Sequence, residues 1–165
     1  MDIVCTRSFA TKIGLSGLIK WPGPVSRSCW YGNVFAAPRR RFFIGMESST
    51  LVTVLFPARG INTSRELVEV LGATVIRYFA RRGWGSLLGK QIAFDTETSK
   101  FWAAADRTML GSMVEMIRLS KFDIEDGTED LETVMDRTND APMSAIGMEA
   151  PEWVLDKLAG KKSTY

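Results

Sequence analysis

Apolar positions along this chain change their period several times, and each change marks an element. Ile3-Val4-Cys5 is a short continuous apolar run suited to a buried strand, and Thr6 follows it as an N-cap for a helix carrying Phe9 and Ile13 one turn apart, closed by Gly14. Residues 16–28 read as loop, because Pro22, Gly23 and Pro24 cluster where neither a helix nor a central strand tolerates them. "CWYGNVFAAPRRRFFIGM" holds two β-prone runs separated by Ala37-Pro38-Arg39-Arg40, which predicts a hairpin with arginines at its turn. "TLVTVLF" adds a strand stopped by Pro57.

The strongest helical pattern runs from about Ser64 to Arg82. Thr63 and Glu66 have capping-box spacing, Leu67, Val70, Leu71, Thr74, Val75, Tyr78 and Phe79 share one face, and Gly83 ends the run. "QIAF" and "KFWAAA" read as two more strands, and Asp106 caps a helix in which Met109, Met113, Met116 and Ile117 recur at helical spacing as core filling. The acidic segment 123–140 predicts a short helix over Leu131, Val134 and Met135, and Pro151 opens a last one. Strands and helices are segregated rather than alternating. The expectation is an α+β fold, a single domain over 1–160 with helices packed on a largely antiparallel sheet, followed by a flexible tail at 161–165.

Charge changes this picture in two places. From Ile3 to Met46 there is no Asp or Glu, whereas Arg7, Lys12, Lys20, Arg27, Arg39, Arg40 and Arg41 are all cationic. That is the composition of an organelle presequence, but a strand, cap, helix and glycine stop describe a permanent part of a fold. The net charge of +2 conceals a division: residues 1–90 carry 13 Lys/Arg against 4 Asp/Glu, a net +9, and residues 91–165 carry 8 against 15, a net −7. The two halves attract, and the first half is the place for an anion-binding face.

The chain has 165 residues, 45% of them hydrophobic, and no histidine. Ser-His-Asp and Cys-His nucleophile systems and His-based zinc sites are thereby excluded, and Cys5 and Cys29 alone cannot complete a four-thiolate zinc site. Both cysteines read as buried thiols. The acidic residues 123–130 lack calcium-loop spacing and read as a solvated face. "GWGSLLGKQ" fails as a phosphate loop, with Trp84 where the first glycine belongs and Gln91 in place of the hydroxyl residue. No apolar run is long enough to span a bilayer, and no cofactor is implied.

Two constellations remain. Trp30, Tyr31 and Asn33 beside Arg39, Arg40 and Arg41 could stack on a base and hold phosphate; the alternative is a hairpin with a core-facing inside and a solvated turn. Arg107, Thr108, Gly111 and Ser112, after Asp106 at a helix start, suit an anion, and Gly111 so early in a helix asks for a close approach by packing or by a ligand.

Three stretches, "CTRSFATKIG", "WYGNVF" with "RRRFFI", and "DRTMLGSM", together with the late "NDAPMSAIG", resemble a family of small bacterial proteins known only as a domain of unknown function. Members usually carry Arg-Ser-x-Leu-Gly-Ser-Met-Asn in the third stretch; here Thr108 takes the serine place and Val114 the asparagine place. The resemblance implies a bacterial or mobile-element origin and a cytoplasmic home, and no reaction. The functional expectation is a non-enzymatic binding or regulatory protein that uses the basic and aromatic face for a protein partner. Its alternatives are nucleic-acid binding through that face and a histidine-free enzyme acting on an anionic substrate through the 106–112 segment.

Overall fold

A computed structural model describes residues 1–23, 28–127 and 130–161. The chain runs β1 (Asp2–Cys5), α1 (Arg7–Lys12), β2 (Trp30–Ala37), β3 (Arg40–Glu47), β4 (Thr53–Pro57), α2 (Ser64–Arg82), β5 (Lys100–Ala103), α3 (Arg107–Glu125), α4 (Leu131–Asn139) and α5 (Pro151–Leu158), with 3₁₀ turns at Gly85–Leu87 and Ser144–Ile146. The expected α+β class holds. The sheet, in order β4-β3-β2-β1-β5, is mixed rather than largely antiparallel: β1 lies parallel to both β2 and β5, and only β2-β3-β4 form an antiparallel meander. The reason is connection length, since α1 and the following loop return the chain for a parallel pairing that a tight turn cannot make.

"QIAF" is not a strand. Gly89 takes a left-handed φ of 75°, the Ile92 N–H donates back to the Leu87 carbonyl at 3.1 Å, and Ile92 is sealed in the core from a loop. An apolar run is bounded by burial, and burial does not require a ladder. The predicted caps form as expected: Thr6 accepts from the Phe9 N–H, Thr63 and Glu66 make a reciprocal capping box, Gly83 closes α2 at φ 71°, and Asp106 accepts from Thr108 and Met109. Residues 24–27 of the predicted loop, Glu129 of the acidic run and residues 162–165 of the predicted tail lie outside the described residues.

Helices cover both faces of the sheet. Gly32 and Gly45 are directly paired on β2 and β3, and the slot they leave is filled by α1 and α2: a Cβ on Gly32 would sit 2.6 Å from the Phe9 ring, and one on Gly45 3.0 Å from Leu71. Tyr31 points to the opposite face, with Met109 of α3. Met109, Met113 and Met116 are buried as the periodicity predicts. Trp30, Phe9, Phe43, Tyr78, Phe79 and Trp84 are the large buried rings, with Phe9 edge-on to Phe43 at 5.1 Å.

The outer edge of β4 is closed by side chains of α4. Asn139 accepts from the Thr53 N–H and donates to the Thr53 carbonyl, both at 2.8 Å, so one amide stands in for an additional strand. The Met135 sulfur accepts from the Leu55 N–H at 3.3 Å. Such closure removes an edge that could otherwise template pairing with another chain.

Candidate functional site

The two oppositely charged halves do meet, but through α2 and not through the hairpin. Arg81 bridges Glu132 at 3.1 Å and Asp136 at 2.5 Å, Arg77 reaches Glu132 at 3.3 Å, and Arg82 pairs with Glu152. The Asp136 hydrogen bond raises the Arg81 pKa, and Arg82 lies 4.9 Å over the buried Trp84 ring. Glu132, Asp136 and Glu152 of the acidic half are thus engaged by α2, and Asp123, Glu125, Glu149 and Asp156 by cations of their own half.

The cations of the other end of the sheet are left over. Parallel pairing of β1 with β2 sets the start of α1 beside β2: the Thr6 N–H donates to the Gly32 carbonyl, and the hydroxyls of Thr6 and Ser8 donate to the Asn33 Oδ1 at 2.7 and 3.1 Å. That oxygen also accepts from the Val34 N–H at 2.8 Å, so Asn33 fixes α1 against the sheet rather than facing a ligand. The lock puts Arg7 and Lys12 of α1 across an open groove from Arg41 of β3, with Val34 on its floor and Asn62 at its rim. Lys12 donates to the Ile61 carbonyl at 2.6 Å and to Asn62 Oδ1 at 2.8 Å, both neutral groups, and acts on Glu66 at longer range without an ion pair among the described residues.

Arg39, Arg40 and Arg41 are all exposed, and none of them makes an ion pair among the described residues. They do not act as one cluster. Alternation along β3 sends Arg41 into the α1 groove and Arg40 to the other face, and Arg39 occupies the turn tip at a left-handed φ of 69°. Exposed Arg59 joins this end from the turn after β4, where the Ala58 N–H donates to the Arg41 carbonyl. Arg7 and Lys12 belong to the site and were missed by sequence reasoning; the acid-free stretch contained the signal, but only the β1–β2 pairing brings them to Arg41.

The aromatic part of the expected face is corrected. Trp30 is 0% and Tyr31 3% exposed, so neither ring can stack on a base. The Trp30 Nε1–H donates to the Ala93 carbonyl at 3.1 Å, and burial pushes the Tyr31 phenol up to about 12. Because β2 is covered on both faces, alternation leaves no outward row there.

At the start of α3 the expected anion position is taken by the protein itself. Asp106 Oδ1 accepts from the Thr108 and Met109 N–H groups at 2.8 and 3.1 Å, which adds negative charge where an anion would have to sit. Arg107, Thr108 and Gly111 are exposed and Ser112 is buried. The close approach expected at Gly111 is absent, since no atom lies within 4 Å of a Cβ built there.

Nucleophilic chemistry finds little support. Cys5 and Cys29 are buried and not joined by a disulfide, and burial pushes the Cys5 thiol up to about 12, far from a thiolate. Burial likewise raises the Tyr78 phenol. Among the described residues no group of three His, Cys, Asp or Glu side chains could hold a metal ion, and no helix is long and apolar enough to cross a membrane.

The family described as a domain of unknown function, DUF6933, matches residues 2–153, and the chain belongs to it. No curated protein and no solved structure matches the chain.

Proposed function

We propose that this member of the family is a non-enzymatic binding protein that engages an acidic surface of a macromolecular partner through the basic end of its sheet. One observation carries the reading: Arg7, Lys12, Arg39, Arg40, Arg41 and Arg59 lie toward one end without an ion pair among the described residues, while Glu132, Asp136 and Glu152 pair with α2. Self-neutralisation was available to this chain and is directed elsewhere. An excess of cations at one end of a protein steers association with a negative partner and makes that association depend on salt.

A protein partner is the first reading. A nucleic-acid backbone is the second, favoured by the absence of acidic side chains among the described residues lining the Arg7–Arg41 groove. Without accessible rings such contact would follow phosphates and read no bases. A small cytoplasmic regulator in a bacterial cell fits either reading.

Fluorescence anisotropy with labelled duplex DNA, single-stranded RNA and a poly-glutamate peptide, over a salt series, tests the proposal. Binding that weakens with salt and falls at least about tenfold in the Arg7→Glu/Arg41→Glu variant is expected. A nucleic acid gives a log–log salt slope of about −0.9 for each phosphate neutralised. Absence of binding to all three probes at low salt, or full binding by the double variant, refutes the reading.

A further inference from the structure

The two edges of the sheet are finished differently. Asn139 and Met135 close β4, whereas β5 has β1 on one side and, on the other, a single bridge from Lys20 to Ala103. The Lys100 and Ala104 N–H groups donate to the Met1 and Cys5 carbonyls, each at 2.9 Å, so even-numbered residues here turn their backbone toward β1 and odd-numbered ones turn it outward. At Ala103 the outward groups are used: its N–H donates to the Ile19 carbonyl at 2.8 Å, and its carbonyl accepts from the Trp21 N–H at 3.1 Å. At Phe101 the same two groups have no hydrogen-bond partner among the described residues. An unpaired stretch of strand edge is complementary to one kind of ligand, another extended backbone.

This open stretch adjoins a groove. Phe101 pairs with Ile3 and Ile3 with Trp30, and Trp30 shares a face with Gly32 and its partner Gly45, which α2 covers through Leu71. The Phe101 ring is therefore on the α2 side. There it lines, with Thr96 and Glu97, one wall of an opening of about 580 Å³ whose other wall is Val68, Ala73 and Ile76 of α2. Ile76 is 53% exposed at that wall. A strand laid along β5 would turn every second side chain into this space.

Charge narrows what such a strand carries. Arg65, the cation of the groove, is held by Glu69 at 3.0 Å, and Glu97 makes no ion pair among the described residues. Lys100, the cation of β5 itself, does not line the groove. The groove is thus net negative, opposite in sign to the basic end. The chain's own residues 19–21 show that this edge accepts a strand, since Lys20 meets Ala103 in a parallel bridge.

We propose that β5 takes an added strand from a partner polypeptide, an extended segment with an apolar side chain and a Lys or Arg two positions from it. Its backbone pairs with Phe101, the apolar side chain enters the groove beside Val68 and Ile76, and the cation meets Glu97. Backbone pairing supplies affinity, and the alternate side chains supply selection. The site is separate from the basic end and does not rest on the function proposed for it.

Titrating the isotope-labelled full chain with the peptide acetyl-Lys-Thr-Val-Thr-Lys-amide, whose Lys, Val and Lys share one face in either direction, tests it by amide NMR and hydrogen exchange. In the free chain at low concentration the Phe101 amide should exchange faster than that of Trp102, which is turned toward β1. Millimolar peptide should shift the Phe101 amide saturably and slow its exchange by about tenfold or more. The fully N-methylated peptide, with the same side chains and no backbone donor, should bind about tenfold more weakly. Ile76→Ser, at an exposed position, should weaken binding about threefold or more. Glu97→Lys should weaken it about three- to fivefold and favour the peptide with Glu in both Lys places. The proposal is overturned if the peptide leaves the Phe101 amide unmoved, if the N-methylated peptide binds as tightly, or if both variants bind as the parent does. A Phe101 amide as protected as Trp102 in the free chain overturns it too. Protection that rises with chain concentration alone assigns the edge to a second copy and overturns it equally.

Discussion

Removing the Asn139 side chain is the sharpest test of how the sheet ends. Asn139 is fully buried, and its amide satisfies the Thr53 N–H, the Thr53 carbonyl and, at 3.1 Å, the Tyr78 hydroxyl, which in turn donates to Asp136 at 3.1 Å. Asn139→Ala leaves two buried backbone groups of β4 without partners, each costing about 1–3 kcal/mol, so a loss of about 3–5 kcal/mol is expected. That is a large part of the total stability of a typical domain, about 5–15 kcal/mol. At about 2–4 °C per kcal/mol for a chain of this size, the midpoint should fall by roughly 10 °C. Asn139→Asp separates hydrogen-bond pattern from shape: a carboxylate still accepts from the Thr53 N–H but turns a second acceptor toward the Thr53 carbonyl. It should lose nearly as much as alanine at neutral pH. Urea denaturation followed by circular dichroism reads both variants. A loss below about 1 kcal/mol for alanine, or a parent-like aspartate variant, refutes the edge-closing role.

Other consequences follow from the same geometry. Gly32→Ala drives a methyl to within 2.6 Å of the Phe9 ring, and should cost about 1–3 kcal/mol by denaturation while Phe9→Leu in the same chain recovers part of it. Arg39 holds a left-handed φ of 69°, so Arg39→Gly should stabilise by a few tenths to about 1 kcal/mol in urea melts, although it removes a charge from the basic end. Glu66 and Asp130 have pKa values lowered by the N–H and hydroxyl groups they cap, so below the unfolded carboxylate range the unfolded chain binds more protons. Their contribution is present above that range and is lost as pH falls through the lowered folded values. Acid titration of stability should therefore show a shallower fall in the Glu66→Gln/Asp130→Asn variant than in the parent.

The legible parts of the fold were those written in local chemistry. Thr63 with Glu66, Asp106, Pro151 and the Pro38-Arg39 turn each fix a boundary with a side chain only a few residues away, and all of them stand where their spacing puts them. The parallel ladders escaped because Ile3 and Trp30 carry no mark of each other, and a period of two gives a strand without naming its neighbour. Ile92 shows the converse, an apolar residue buried from a loop. Trp30 and Tyr31 misled for a third reason: next to polar Asn33 and three arginines they resemble a half-exposed strand, but α1, α2 and α3 cover both faces of β2. No pattern within one strand reports how many layers will lie on it.

Architectural roles account for many of the motif residues and so narrow where function can reside. Gly32 admits Phe9, Asn33 ties α1 to β2, Asp106 closes the first turn of α3, and Asn139 finishes the sheet. Each has bonds or contacts that would be lost on substitution, and folding is sufficient to explain all four. Arg107, Gly111 and Ser112 lie in the same stretches without any comparable structural role. They are a cation without an ion pair among the described residues, a glycine with nothing above it, and a serine on the wall of a groove. Gly111 forgoes about 1 kcal/mol relative to alanine. Folding alone favours alanine at 111. The departure from that preference marks Gly111 as a position whose openness folding does not explain.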